Sequence, residues 1–188
     1  DIIDEHNQRA IQAVKTVLHN YDCDTFMAHY YIDSSLTTTV SRIIKRGSCQ
    51  WEGFVHEYLA STSKRICLDF TITHRKPKSS VERDSGRNLR IFQEKLKEHV
   101  QFSTRDILYY AKELYWNGDN ETAITWFNLF FNQTNTWVED CIEAARMKAD
   151  ILEKEGKLDE MIGFLAQSIL KYGMNNRLMY MCGLGLYH

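Results

Sequence analysis

The sequence predicts an α/β part followed by an all-α part made of helical repeats. In residues 65–73 apolar and polar side chains alternate, which is typical of a sheet with one buried face. From Asn88 onward the apolar residues recur at three-to-four spacing, which is typical of packed helices. We therefore place residues 1–80 in the α/β part and 81–188 in the helical part, with a polar connection near 76–87.

The α/β part is expected to begin with a helix and to continue with four strands. Ile11, Val14 and Leu18 share one stripe of an amphipathic helix predicted over residues 4–18. The strands are predicted in stretches that are rich in β-branched and aromatic residues or alternate in polarity, at 25–32, 37–44, 54–59 and 65–73.

A degenerate repeat runs through the helical part. Ala149 lies 38 residues after Ala111, and Gly156 lies 38 residues after Gly118. Small residues allow paired helices to approach, and glycine permits the tight turn between them. The pattern is similar to the tetratricopeptide repeat of about 34 residues, with the additional residues in a longer loop. A third helix pair is expected to begin near Arg177.

Composition excludes several classes of function. A hydrophobic content of 44% with a single Pro predicts a folded globular chain, and a net charge of -2 gives no general attraction to nucleic acid. No apolar run approaches the roughly 20 residues that span a bilayer. The five cysteines include no C-x-x-C pair, which favours a reducing cytoplasm over a disulfide framework or zinc ribbon.

Residues 51–59, with the sequence WEGFVHEYL, bring a Trp, a His and a Glu close together in an apolar setting. A Trp ring offers a large flat face that suits sugars as well as protein cores. Glu57 beside such a face is a candidate general base, since burial disfavours the charged carboxylate and strengthens it as a proton acceptor. The alternative is that Trp51 anchors a core beside a surface Glu57.

The same stretch resembles a known family. R-I-I-K at 42–45 and W-E-G-F-V-H-E at 51–57 resemble the R-[LI]-[FI]-[RK] strand and W-x-G-x-V-H-E segment of family 2 glycosyltransferases that carry tetratricopeptide repeats. The resemblance continues through I-T-H-R-K-P at 72–77 and R-N-L-R at 87–90, and then into the helical repeats. Within that family the chain resembles the peptide S-glycosyltransferases of the sublancin type.

The resemblance implies a partial GT-A-like mixed sheet followed by tetratricopeptide-like repeats. It implies an inverting transfer of a sugar from a nucleotide-sugar donor to a peptide or other acceptor. Glu57 is then the catalytic base, while Trp51 and His56 bind the acceptor. Arg75 contacts the diphosphate, and His74 is a ligand of Mn²⁺ or Mg²⁺. For His74 and Arg75 the alternative is a solvated, basic strand end.

The D-x-D motif that holds the cation in this family has no convincing counterpart here. D-C-D at 22–24 falls in a predicted helix-to-strand turn, where capping or solvation is the expected role. We interpret D-I-I at 1–3 as the tail of the motif, so the chain is expected to be the C-terminal part of a longer protein and inactive alone. A metal site made from His29, His56 and His74 is a weaker alternative without a recognisable spacing.

Two other functions stay open. One is a non-catalytic, tetratricopeptide-like module that binds a peptide. The other is an oligomerisation module, in which the apolar end of the repeats at 177–188 packs against a second copy or against further residues. A terminal helix folded back on its own repeats is the alternative for that end. The expected partners are therefore a nucleotide-sugar donor, a peptide or protein acceptor and a second copy, without nucleic acid or a membrane span.

Overall fold

A computed structural model describes the following residues of the chain: 8, 9, 11, 12, 15, 23–33, 36–60, 64–73 and 86–187. The chain forms two compact units, residues 1–85 and 86–188, whereas the sequence predicts the boundary between 80 and 81. The described residues form a small mixed sheet followed by six helices. The predicted order, an α/β part and then a helical part, is confirmed.

The first unit contains five strands in its described residues: β1 (Thr25–Asp33), β2 (Leu36–Ile44), β3 (Gln50–Glu52), β4 (Tyr58–Ala60) and β5 (Arg65–Thr73). Three of them form a mixed sheet in the order β2-β1-β5, in which β1 is antiparallel to β2 and parallel to β5. The alternation predicted for β5 is present, since Phe70 and Ile72 are buried while Asp69 is exposed. Ala28 of β1 completes the buried cluster on this face.

The strand predicted over 54–59 is wrong. Strands β3 and β4 form a separate antiparallel hairpin, and residues 53–57 are the turn between them. Gly53 and His56 have φ angles of 99° and 54°, which a β-strand does not contain. Val55 is part of the apolar pattern that predicted a strand. Its side chain is buried, but the residue lies in the turn and not in a strand.

Most of the helix predicted over 4–18 lies outside the described residues. Ile11 is described, is helical, and packs against the core cluster of the sheet. The described residues of that segment that are helical are Gln8, Arg9, Ile11, Gln12 and Lys15.

The helices of the second unit are α1 (Arg87–Lys97), α2 (Thr104–Trp116), α3 (Asn120–Phe131), α4 (Val138–Lys154), α5 (Leu158–Tyr172) and α6 (Asn176–Tyr187). Each helix contacts the next one, and α4 also contacts α2 and α6. Helix α2 begins with a capping box, in which Ser103 and Asp106 exchange hydrogen bonds between side chain and backbone. Through its contacts with α2, α3, α5 and α6, helix α4 has packing partners both before and after it in the chain.

The 38-residue offset recurs in the turns that follow α2 and α4. In each turn the N–H of the glycine donates to the carbonyl three residues earlier, at 3.1 Å for Gly118 and 2.9 Å for Gly156. The next N–H, of Asp119 or Lys157, donates to the carbonyl five residues earlier, at 3.0 and 2.9 Å. Both glycines have positive φ, 82° and 71°, as this helix-ending motif requires.

Residues that repeat at this offset are also buried in equivalent places. The buried pairs are Ala111 and Ala149, Leu114 and Leu152, Ala123 and Met161, and Phe127 and Leu165. One pair is unequal, because Met161 occupies the position of a small residue. Helix α6 accommodates the larger side chain with Gly185, since a Cβ atom there would lie 2.5 Å from Cε of Met161.

Gly185→Ala is therefore expected to give a lower free energy of unfolding, by about 1 kcal/mol, than alanine at an open position of the same helix, because the Met161 and Ile162 side chains must shift to admit the methyl. The added methyl would also lie 3.0 Å from Cγ1 of Ile162. Gly183 of the same helix is the matched control, because no atom lies within 4 Å of its Cβ position. Gly183→Ala should raise the free energy of unfolding by roughly 0.5–1 kcal/mol. Urea denaturation of both variants measures the difference, and equal shifts would contradict this packing.

Polar contacts also join the three helices α2, α4 and α6. The hydroxyl of Tyr115 in α2 donates to Oδ2 of Asp150 in α4 at 2.7 Å. In α4, Arg146 donates two hydrogen bonds to Glu143, at 3.0 and 3.1 Å. Arg177 of α6 lies 3.9 Å from the same carboxylate. Glu143 is thus held by arginines of two helices.

Acid is expected to weaken the second unit through Glu143. Its hydrogen bonds with Arg146 hold the pKa of the Glu143 carboxyl below its ordinary value, although burial acts in the opposite direction. A group with a lowered folded-state pKa contributes stability above the ordinary Glu pKa of about 4.3 and loses it as the pH falls through the folded value. Urea unfolding across this range should show a steeper decline for the wild type than for Glu143→Gln. Parallel curves would contradict the prediction.

Candidate functional site

The first unit contains a pocket of about 260 Å³ between the three-stranded sheet and the β3–β4 hairpin. Trp51, Glu57 and Tyr58 of the hairpin line it. Arg42 of β2 and Arg65 of β5 line it as well, together with uncharged residues of β1 and β2. Two of the residues that the sequence analysis selected, Trp51 and Glu57, are therefore brought to one pocket.

Trp51 presents its ring to solvent. It pairs with Leu59 across the hairpin, and the Leu59 side chain is buried while 59% of Trp51 is exposed. This exposure excludes the alternative in which Trp51 anchors a core. Because the ring lines the pocket, it provides an apolar platform for a ligand there.

Glu57 lines the same pocket but is exposed, which corrects one premise of its selection. The apolar residues around Glu57 in the sequence predict a setting that would desolvate the carboxylate. The turn at 53–57 instead carries Glu57 at the surface, directly before β4. The position of Glu57 still favours a role as proton acceptor. A ligand that binds on the Trp51 ring would lie in the same pocket as the Glu57 carboxylate.

Internal contacts fix the hairpin and the two arginines. The hydroxyl of Tyr58 donates to Oε2 of Glu52 at 2.5 Å, which joins β3 to β4. Arg65 donates to the Leu59 carbonyl at 3.4 Å, and the Arg42 guanidinium lies 4.6 Å from the centre of the Tyr30 ring. The pocket therefore combines one carboxylate with two restrained positive groups.

His56, the other predicted acceptor ligand, is exposed in the turn and lies outside the lining of this pocket. Its left-handed backbone is uncommon for a residue other than glycine and is typical of a tight turn. His74 and Arg75, predicted for the metal and the diphosphate, lie outside the described residues. The structure thus places three of the five predicted site residues and brings two of them together.

The sequence patterns do not mark Arg42, Arg65 or Tyr58 as site residues. Arg42 belongs to the R-I-I-K pattern, which was used to recognise a family and not to define a pocket. Arg65 begins β5 on the other side of β1, so strand order, which the sequence does not reveal, brings it close to Trp51. In the sequence, Tyr58 with its polar hydroxyl is followed by apolar Leu59. This change in polarity is the pattern that could have indicated a hairpin strand here.

The acidic residues near this unit do not form a cation site in the described part of the chain. There, no group of three or more His, Cys, Asp or Glu side chains is placed to hold a metal ion. Asp24 of the D-C-D sequence forms an ion pair with Lys45 at 3.5 Å, while Asp22 lies outside the described residues. The pocket itself has one carboxylate among two arginines, a set that does not fit Mn²⁺ or Mg²⁺.

Comparison of the chain with protein-family models and with curated proteins gives no match. In the part of the chain that the structure describes, no helix combines the length and the apolar character needed to cross a membrane.

Proposed function

We propose that the first unit carries the acceptor site and the catalytic base of an inverting glycosyltransferase. This enzyme moves a sugar from a nucleotide-sugar donor to a peptide or other acceptor. The observation that supports the proposal is the shared pocket of Trp51 and Glu57. Its volume of about 260 Å³ suits one sugar ring or one amino-acid side chain. The resemblance at 42–45 and 51–57 supplies the class of reaction.

In this proposal Trp51 holds the acceptor against its exposed ring, and Glu57 accepts the proton of the acceptor nucleophile. The nucleophile attacks the anomeric carbon as the nucleoside diphosphate leaves with the bonding electrons. Arg42 and Arg65 confer positive charge on the pocket, which favours an acceptor with an anionic or hydroxyl group. His56 orients the acceptor from the turn.

The donor side involves residues outside the described part of the chain. We propose Arg75 as a diphosphate ligand and His74 as a ligand of the cation. When bound, Mn²⁺ or Mg²⁺ neutralises charge on the leaving diphosphate. The proton transfer assigned to Glu57 does not depend on that ion.

The second unit is proposed to consist of degenerate, tetratricopeptide-like repeats that contact the acceptor or another subunit. The repeated helix ends at Gly118 and Gly156, together with the contacts of α4 with both α2 and α6, support this assignment. One face of α6 packs on its own repeats through Leu178 and Gly185. Away from these contacts α6 exposes Tyr180 and Leu186, at 68% and 71%, which supports self-association.

Light scattering across a concentration series tests self-association of the 188-residue chain. A mass that rises with concentration in the wild type, and not in a Tyr180→Ser/Leu186→Ser variant, is the expected result. A constant monomer mass would remove the oligomerisation role.

The five free cysteines support a reducing, cytoplasmic location, which we propose together with this function.

A non-catalytic peptide-binding module is the second candidate. It is favoured by the two pockets of the helical unit, about 410 and 490 Å³, which exceed the pocket of the first unit.

A transfer assay separates the two functions. The longer protein that the resemblance implies is incubated with nucleotide sugars and Cys- or Ser-containing peptides, and mass spectrometry detects the glycosylated product. Transfer that disappears in Glu57→Gln supports the enzyme, and transfer that persists removes Glu57 from the role of base.

A further inference from the structure

The pocket beside the β3–β4 hairpin has an excess of positive charge. Its charged lining residues are Arg42, Arg65 and Glu57. Guanidinium groups stay protonated in proteins, and an exposed carboxylate is ionised at neutral pH. Two positive charges therefore face one negative charge, and a single positive charge remains for a ligand to neutralise.

None of these three charges has an ion-pair partner within the described residues, where the ion pairs join other side chains. Arg42 donates to the Ser41 carbonyl at 3.3 Å, and Arg65 donates to the Leu59 carbonyl at 3.4 Å. A guanidinium has five N–H donors, so each arginine has further donors for a ligand.

A β-bulge directs Arg42 to this pocket. Phe26 of β1 pairs with Ile43 of β2. The next residue, Met27, pairs with Ser41, so the ladder between the strands skips Arg42. Bulges change the direction of a side chain and are common beside functional sites. The position of Arg42 is thus built into the irregular part of β2.

Arg65 enters the same pocket from the opposite side of β1. It pairs with Thr25, so it lies close to the level of the bulge along the sheet. Because β2 and β5 flank β1, their backbones are roughly 10 Å apart, twice the spacing of neighbouring strands. Two long arginine side chains can close this distance around one small anion. The fold therefore brings two guanidinium groups from distant strands to the exposed ring of Trp51.

A carboxylate fits this pocket better than a phosphate. Its single negative charge matches the excess charge of the lining, and its two oxygens match the planar fork of a guanidinium. A phosphate ester carries about −1.5 to −2 charges at pH 7 and would be repelled more strongly by Glu57. Thr39 and Ser41 also line the pocket, and their hydroxyls can donate to a carboxylate oxygen.

We propose that this pocket selects an acceptor peptide with an acidic residue next to the residue that receives the sugar. The acidic side chain binds Arg42 and Arg65 through its carboxylate and packs its methylene groups on the Trp51 ring. The neighbouring Ser or Cys of the peptide is then held at the exposed Glu57. Arg42 and Arg65 are specificity-determining residues in this arrangement. The inference rests on the acceptor role proposed above for the same pocket.

Two capped dipeptides test the selection on the 188-residue chain. Ac-Ser-Glu-NH₂ and Ac-Ser-Gln-NH₂ have nearly the same shape and differ by one negative charge. In an NMR titration followed at the indole N–H of Trp51, the Glu peptide should bind at least about tenfold more tightly, since it gains charge-assisted hydrogen bonds. Added salt should weaken this preference, because exposed charges are screened. Equal binding of the two peptides, or no binding of either, would overturn the proposal.

Three variants identify the charges that are responsible. Arg42→Gln and Arg65→Gln should each reduce the preference to within about threefold, because the remaining guanidinium holds the carboxylate alone. Arg46→Gln removes an exposed charge between β2 and β3, outside the lining, and should retain the full preference. All three arginines are exposed, so each variant should fold and bind the Gln peptide like the wild type. Full preference in both Arg42→Gln and Arg65→Gln, or its loss in Arg46→Gln, would contradict the assignment.

The titration requires no sugar donor, so its result is separate from that of the transfer assay. A charge preference without sugar transfer supports the carboxylate site and counts against the proposed enzyme. Transfer to both peptides with equal KM supports the enzyme and overturns the proposed selection.

Discussion

Glu57→Gln should lower the turnover of the proposed sugar transfer by roughly 10²–10⁴, the range expected when a general base is lost. Gln keeps the size of the side chain and its hydrogen-bonding capacity, but its amide does not accept the proton of the nucleophile. Because Glu57 is exposed, the substitution should leave the stability of the first unit nearly unchanged. The measurement is the turnover number of the proposed transferase, with nucleotide binding followed separately by calorimetry.

Glu52→Gln is the matched control for this experiment. Glu52 belongs to the same hairpin and bonds to the Tyr58 hydroxyl, but it lies outside the lining of the pocket. Its substitution should change turnover only a few-fold. If Glu52→Gln and Glu57→Gln lower turnover equally, turnover depends on the shape of the hairpin, and Glu57 has no catalytic role.

Phe127→Ala should lower the free energy of unfolding of the second unit by about 3–5 kcal/mol, the usual cost of truncating a fully buried Phe. Phe127 is 0% exposed in α3, and its counterpart in the repeat is Leu165, also 0% exposed. Since small domains are stabilised by only about 5–15 kcal/mol, this loss is a large fraction of the total stability. Urea denaturation followed by circular dichroism measures it.

Leu129→Ala on the same helix provides the comparison. Leu129 is 42% exposed, so its loss should cost less than about 1 kcal/mol. Leu165→Ala should cost about 2–5 kcal/mol, because the two positions are equivalent in the repeat. A small effect at both Phe127 and Leu165 would show that the repeated positions do not form the core of this unit.

The period of the apolar residues was sufficient to predict most of the regular structure. Strand β5 follows from a period-two pattern, strands β1 and β2 from stretches rich in aromatic and β-branched residues, and the helices of the second unit from the period of 3.6. The hairpin at 50–60 was missed because its two strands are only three residues long, too short for a pattern to develop. Gly53 and His56, which take positive φ, mark the turn more reliably than the apolar residues around them.

The site was predictable only in part, for a physical reason. Trp51 and Glu57 are close in sequence, so a short segment was enough to suggest that they act together. Arg42 and Arg65 join them through the order of strands in the sheet, a long-range property that local patterns do not encode.

The most direct test of the central claim, that one pocket both holds the acceptor and supplies the base, is a comparison of kcat and KM for two variants. Trp51→Ala should raise the KM for the acceptor with little change in kcat and little loss of stability, because its ring is 59% exposed. Glu57→Gln should lower kcat with little change in that KM. The claim is contradicted if Trp51→Ala leaves the KM unchanged, or if Glu57→Gln leaves kcat within a few-fold of the wild-type value.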